Sequence, residues 1–348
     1  MAVSRVKTWS AGEILTASDL NAEFNNLINN GTSMAFPLTA NASAGSFKIT
    51  TLAAATADGD AVRFQQLPFS VCDFRLTLTT ATPVTTADVT AAETLYMSPY
   101  TGNAIGLYDG TNWHVRTTAE ISIDVPDATG VYDVFCYDNA GTPTLEVGAW
   151  TNDTTRTNAI SQFNGVLVRG SGTNTRRYLG SFYCTTAGNG QIEDSVANRY
   201  LWNYYNRVPR PMRVLEATAT WDYTTATIRQ ARATATNQIA FVIGVSEDMV
   251  SAEILAQATN TTNVGVSFVV GVGLDSTSTF ASEGLFLLGS NYATAEICIA
   301  NARWNGYPGV GKHFLSWNEY SEATGTTRWQ GVSASPPLQS GIYGVILG

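Results

Sequence analysis

Two histidines, four cysteines and 28 carboxylate side chains are the groups with which this chain of 348 residues could do chemistry, and their spacing assigns them little of it. His114 lies in "TNWHVRT" and His313 stands between Lys312 and Phe314. No GxSxG elbow accompanies either, so a Ser–His–Asp relay has no frame, and both histidines read as strand residues. Paired carboxylates would make a glycoside hydrolase. Asp133 and Asp138 flank "VFCY", Asp222 stands in "TWDY" and Glu319 in "SWNEYSE". Strand alternation and turn chemistry account for each of them without catalysis. Cys72, Cys136, Cys184 and Cys298 are scattered and form no CxxC pair. Structural zinc takes paired ligands at short spacing, so they read as buried thiols rather than a metal site. "GVGL" lacks the third glycine of a dinucleotide fingerprint, and "YPGVGK" lacks the Walker frame; both read as turns or bulges. The expectation is a protein that is not an enzyme and uses no cofactor and no metal.

Aromatic residues are the more informative group. Trp202, Tyr204 and Tyr205 crowd one stretch, and Trp304, Tyr307, Trp317 and Trp329 follow later. Such side chains pack inside, line a subunit interface, or stack on sugar rings, and burial or an interface is the reading preferred over a glycan platform. The charged fraction of 14% is well below the ~25% of ordinary soluble domains. Thr, Ala, Asn and Gly take up the difference. A polar, nearly uncharged surface suits a β-rich, long-lived assembly in which subunit contacts replace charge. The net charge of −9 argues against nucleic acid as a partner, because phosphate binding draws on Lys and Arg. "MAVSRVKTWSAGE" has no apolar signal-peptide core, and the run near "IAFVIGV" is far too short for membrane insertion, which takes ~20 residues. The chain is expected to be made and kept in a cytosol until release.

These groups must be carried by four segments: residues 1–31, 32–69, 70–212 and 213–348. In the first, "EILTASDLNAEFNNLINNG" signals a helix, with Thr16 as cap, Asp19 three residues on, and Leu15 and Leu20 placed as a hydrophobic staple. Leu20, Phe24, Leu27 and Ile28 repeat at i, i+4, i+7 and i+8, and Gly31 stops the pattern. A lone helix of this length is marginal in water, so the stripe must dock on a neighbour or on its own copies. The second segment has no period, only apolar beads such as Phe47, Ile49 and Leu52, and reads as an extended neck. From residue 70 short alternating runs resume, among them "FRLTLTT", "ISIDVP" and "VYDVFCYDNAGTPTLEVGAW". "YDGTNWHV" and "YDNAGTPTLEV" read as hairpins whose glycines supply positive φ. "ANRYLWNYYNRVPRPMRV" reads as a hinge at Pro209 and Pro211. The last segment gives some eight strands, with a short helix near "EDMVSAEILAQA", and suggests a jelly-roll-like β-sandwich.

The fold class expected is therefore mainly β: an N-terminal helix and extended neck followed by two antiparallel β domains. "TWSAGEILTASDLNAEFNNLINN" resembles the amino-terminal segment of bacteriophage tail-fibre and side-fibre proteins. "AGSFKITTLAAATADGDAVRFQQL" is similar to the fibre phrase in which a glycine and an aromatic precede "KITNLA". The stretch "TPVTTADVTAAETLYMSPYTGNAIGLYDG", "RRYLGSF" through "EDSVANRYLWNYYNRVPRPM", and the tail with "WNEYSEATGTTRWQG" and "SGIYGVILG" resemble modules of phage structural proteins. "KITTLA" occurs once, and "AVRFQQL" replaces the usual Lys-Gly-Tyr-Val ending, so the resemblance implies a short fibre. It implies a non-enzymatic virion protein, homotrimeric, with Phe47, Ile49 and Leu52 in the trimeric neck. Trp9, Leu15, Leu20, Phe24, Leu27 and Ile28 would attach it to the head–tail connector, an adaptor or the tail. A host cell-surface glycan is a further expected partner, with Trp304, Tyr307, Trp317 and Trp329 as glycan or interface aromatics. The alternatives are a capsid decoration or head-fibre protein, a glycan-cleaving tailspike, and a passive carbohydrate-binding module.

Overall fold

Thr16 caps the N-terminal helix as its position predicts. In the computed structural model, which describes residues 6–29, 69–170, 172–334 and 337–348, the helix runs Ala17–Asn29. The Thr16 hydroxyl donates to the Asp19 carboxylate at 2.6 Å and accepts the Asp19 N–H at 3.2 Å. The strand of chain before it is tied down by charge. Lys7 reaches Glu13 at 2.7 Å and Asp19 at 2.9 Å, and Glu23 accepts the N–H groups of Val6 and Lys7. This segment belongs to a unit spanning residues 1–61; residues 62–348 form a second unit. Phe47, Ile49 and Leu52 of the expected neck lie outside the described residues.

The second unit is mainly β, with almost every strand pair antiparallel. Its hairpins follow the turn chemistry. Ala104–Tyr108 pairs with Trp113–Thr117 around Gly110 at φ +106°. Gly130–Asn139 and Thr142–Asn152 meet at Asn139 and Thr142, and both loop residues, Ala140 and Gly141, have positive φ. Around these strands one core gathers Phe74, Leu95, Met97, Val134, Phe182 and Ile192. A second core gathers Trp202, Phe241, Ile254, Val270, Trp304, Trp317, Trp329 and Ile342.

The second core lies between two sheets, and the chain alternates between them in the jelly-roll manner. Gln238–Ile243, Ser267–Leu274 and Gly311–Ser321 belong to one; Val250–Asn260, Cys298–Gly306, Thr327–Gln330 and Gly341–Leu347 belong to the other. Fully burying a large apolar side chain stabilises by ~1.5–3 kcal/mol, so the buried tryptophans are a main anchor of this half. The halves share a sheet through a parallel pair, Asn198 against Ala240 and Arg199 against Phe241.

Three expectations are corrected. "EDMVSAEILAQA" is no helix: Val250–Asn260 is a strand with neighbours on both sides, and Val250, Ala252, Ile254, Ala256 and Ala258 alternate inward. Pairing and burial override the helix preference of its Ala, Glu and Leu. Pro209 and Pro211 are no hinge, because they lie in the strand Pro209–Leu215, at the end of its sheet, opposite Leu347 and Val345. Both are exposed at alternate positions, where an edge strand tolerates missing N–H groups. This strand also crosses the 212/213 division. Finally, "GVGL" ends the strand Ser267–Leu274 instead of forming a turn. A Cβ on Gly271 would stand 2.4 Å from Phe280, and one on Gly273 2.1 Å from the Ser276 carbonyl, so close packing explains both glycines.

One loop carries a pH test. Asp109 accepts the N–H groups of Thr111 and Asn112, each at 2.7 Å, and lies 2.8 Å from His114 Nε2. The Asn112 and Thr111 N–H groups, then His114, lower its pKa to about 2. A lowered folded-state value means that the stabilisation is present above the ordinary value of 3.8 and is lost as pH falls toward about 2. A carboxyl-carbon NMR titration should place the Asp109 midpoint near 2, with the Thr111 and Asn112 amides moving in the same window. A midpoint at the ordinary value would show that the two backbone bonds are not made.

Candidate functional site

The carboxylates that could have made a catalytic pair are each held by arginine. Asp133 is buried, accepts from Arg156 at 2.8 Å and from Ser181 at 2.7 Å, and Arg156 lies 4.3 Å over the Trp150 ring. Burial raises the Asp133 pKa, against the pull of Arg156. Asp138 pairs with Arg116 at 2.6 Å, and Asp222 with Arg328 at 2.8 Å. Glu319 is enclosed between Arg229 at 2.7 Å and the Trp221 indole N–H at 2.8 Å, and burial raises its pKa first of all. Such groups fasten strands. Asp194 does the same between Arg199 at 3.0 Å and Arg210 at 2.7 Å. His313 faces Asp275 at 2.8 Å. Cys72, Cys136 and Cys184 are buried and unpaired, Cys298 is half-buried, and burial pushes the Cys136 thiol up to about 12. Among the described residues no group of three His, Cys, Asp or Glu side chains is placed to hold a metal.

The aromatic candidates divide. Trp304, Trp317 and Trp329 are 0–1% exposed and lie inside the second core, which corrects their reading as a glycan platform: no ring face reaches solvent. Trp317 meets Trp221 edge-on at 5.7 Å, and Trp329 meets Phe268 at 5.8 Å. Tyr307 alone of the four is exposed.

In the first unit the helix stripe is open. Leu15, Leu20 and Phe24 are exposed, while Trp9 is half-buried with its indole N–H unpartnered. Leu27 and Ile28 occupy the last turn of Ala17–Asn29.

The second unit has an open apolar surface that the sequence reading missed. Leu285, Phe286, Leu287, Leu288, Tyr292, Ile297 and Ile299 are between 43% and 90% exposed within fifteen residues of chain. Single exposed apolar residues need no explanation, but seven within fifteen positions of chain are a dense set, the kind that a contact covers. The strand Leu285–Phe286 is the last of its sheet, paired only with Cys298–Gly306. The signal was "GLFLLGSNY", four large apolar residues in a row without the alternation that would bury one side. Unbroken apolar runs fit a two-sided buried strand equally well, so the run alone could not tell an open surface from a core.

No family model and no curated protein matches the chain. Solved structures similar to it include the β-porphyranase BpGH86A of glycoside hydrolase family 86 from Bacteroides plebeius, at 8% identity and a TM-score of 0.20 over 75% of this chain. Two others are a Cry1Da tryptic core variant and the mosquito-larvicidal Cry4Aa toxin, both from Bacillus thuringiensis. They stand at 8% and 7% identity and TM-scores of 0.16 and 0.19, each over 74% of this chain. The chain spans 37%, 48% and 49% of the length of these three structures.

Proposed function

We propose that the chain is a structural protein of a bacteriophage virion: a short homotrimeric fibre, attached to the connector or tail through its N-terminal helix and contributing to adhesion at the host surface. The observation that carries this is the open apolar surface from Leu285 to Ile299, on a unit whose own cores are otherwise filled. A surface of that kind is covered in the working state, and a second and third copy of the same chain cover it under cyclic symmetry without any further partner. The open stripe of Leu20 and Phe24 on the helix agrees, and so does the low charge. The fibre phrases in the sequence supply the virion context.

Light scattering of the purified full chain should give three times its 37.2 kDa mass, with no dissociation on dilution. The double change Leu287→Asp and Ile299→Asp should lower that mass, because an unpaired carboxylate is costly in a desolvated contact. A wild-type monomer at every concentration would sink the assembly reading.

A further inference from the structure

The outer face of the sheet that holds Val250–Asn260 and Gly341–Leu347 carries a row of directly opposed residues, Arg213, Tyr343, Glu253 and Arg303, which runs on into Leu285 at the edge of the apolar surface. Opposed residues of antiparallel strands point to the same side, so the four lie side by side on solvent. Two hollows of about 220 and 230 Å³ flank this row and share Tyr343 and Glu253. Ser251, Arg303 and Asn305 complete one hollow; Arg213, Leu255 and Gln339 line the other.

Arg213 is singular. Among the described residues every other Arg and Lys side chain has a carboxylate or backbone oxygen to donate to, and Arg213 has none. In a chain of net charge −9 a free guanidinium beside an open hollow is an unmet donor for an anion. Tyr343 beside it is about half exposed and offers a ring face. Glu253 already accepts from Asn301 at 2.8 Å and pairs with Arg303 at 3.3 Å, so a ligand hydroxyl would add one more donor to that set, while Asn305 and Gln339 both donate and accept. The net charge of −9 disfavours a run of phosphates, and so nucleic acid.

We infer that this face binds an acidic saccharide, with a sugar ring on Tyr343, hydroxyls on Glu253, Asn305 and Gln339, and the carboxylate or phosphate of the sugar on Arg213. This deepens the adhesive part of the function proposed above and rests on it. Acidic charge could come from uronic acids, sialic acid or sugar phosphates, and the chemistry at Arg213 is common to all three.

The test uses the full chain on a glycan array bearing oligogalacturonate, sialyl-lactose, phosphorylated heptose oligosaccharides and neutral cello-oligosaccharides. Binding should be confined to acidic members, and which of the three binds identifies the source. Arg213→Ala and Tyr343→Ala should each weaken the best acidic ligand about tenfold, the loss of one charge-assisted bond or one stacking face. Both side chains are exposed, so folding should be unchanged by circular dichroism, and Tyr307→Ala, outside the hollows, should bind as the parent does. No acidic hit, binding by neutral sugars equally well, or binding that survives both variants would each overturn the inference. Light scattering of the same samples separates the two readings: a monomer that still binds through Arg213 removes the trimer and keeps the site, and a trimer without acidic binding does the reverse.

Discussion

Arg177→Ala is expected to destabilise the β unit by about 3–5 kcal/mol, a fall of roughly 10 °C in Tm, although the residue touches no carboxylate. Its side chain is 1% exposed. One guanidinium nitrogen donates to the carbonyls of Phe69 at 3.0 Å, Val71 at 2.8 Å and Gly106 at 2.8 Å. The second donates to Ser70 at 2.7 Å, and Nε to the Tyr205 hydroxyl at 3.2 Å, with the guanidinium 4.5 Å from that ring. Backbone oxygens carry partial negative charge, and four of them converging on one buried cation replace the water it gave up. Truncation removes a donor from each of those carbonyls, of which Val71 keeps the Gly106 N–H at 2.9 Å, and buried acceptors that lose their partners are the costly case. Gly106 tightens the dependence. A Cβ there would lie 1.9 Å from the Phe69 carbonyl, so the chain entering the unit crosses Gly106 with no room for another side chain. Arg177→Lys should recover less than half of the loss, since an ammonium presents three donors from one point and cannot span the set. Thermal and urea unfolding of the three proteins decide the matter, and a change below about 1 kcal/mol for the alanine variant would show that water replaces the guanidinium there.

The same residue shows where the sequence could be read and where it could not. Arg176 and Arg177 stand together in "RRYLGSF", and nothing local distinguishes them. Arg176 pairs outward with Glu146 at 2.7 Å, while Arg177 opens the strand Arg177–Thr186 and turns inward. Alternation says that adjacent residues go to opposite faces, but an arginine on the core face looks like a surface residue until the carbonyls that meet it, more than 70 positions away along the chain, are known. Features that depend on neighbours in sequence were legible. The Thr16 cap, the Ala140–Gly141 turn and the β class follow from local chemistry. The helix expected at "EDMVSAEILAQA" failed because Ala252, Ile254 and Ala256 are inward-facing on a strand whose two neighbours come from late in the chain. For the aromatics burial or an interface is the preferred reading and a glycan platform the alternative, because a tryptophan reads alike on a core face and on a solvent face; three of the four named went into one core. The open row of Arg213 and Tyr343 joins positions 130 residues apart through the register of Pro209–Leu215 with Gly341–Leu347, which no spacing in the sequence encodes.

Virions assembled with a chain lacking residues 1–31 are expected to carry no appendage, while the truncated chain itself stays folded and trimeric. Among the described residues both cores are built from positions from Cys72 onward, and the helix supplies none of their members. What is lost is the open stripe. Leu20 and Phe24 are exposed on Ala17–Asn29, and the helix is tied to its own leading segment by Lys7, Asp19 and Glu23, so it can present those side chains as a preformed surface. Burying two or three such side chains on a neighbour at ~1.5–3 kcal/mol each would supply most of the docking free energy of one copy, and three copies would multiply it. Leu20→Asp with Phe24→Asp should therefore match the deletion, because charges placed in a desolvated contact cost more than the lost apolar area alone. Both positions are solvent-exposed, so the helix should survive the change, with Thr16 and Asp19 still capping it. Counting appendages per virion by electron microscopy, alongside immunoblots of purified particles, gives the result directly. Normal copy number in either variant would place attachment on another surface. The apolar face from Leu285 to Ile299 would then become the candidate contact with the shell, and a capsid decoration protein would become the better reading.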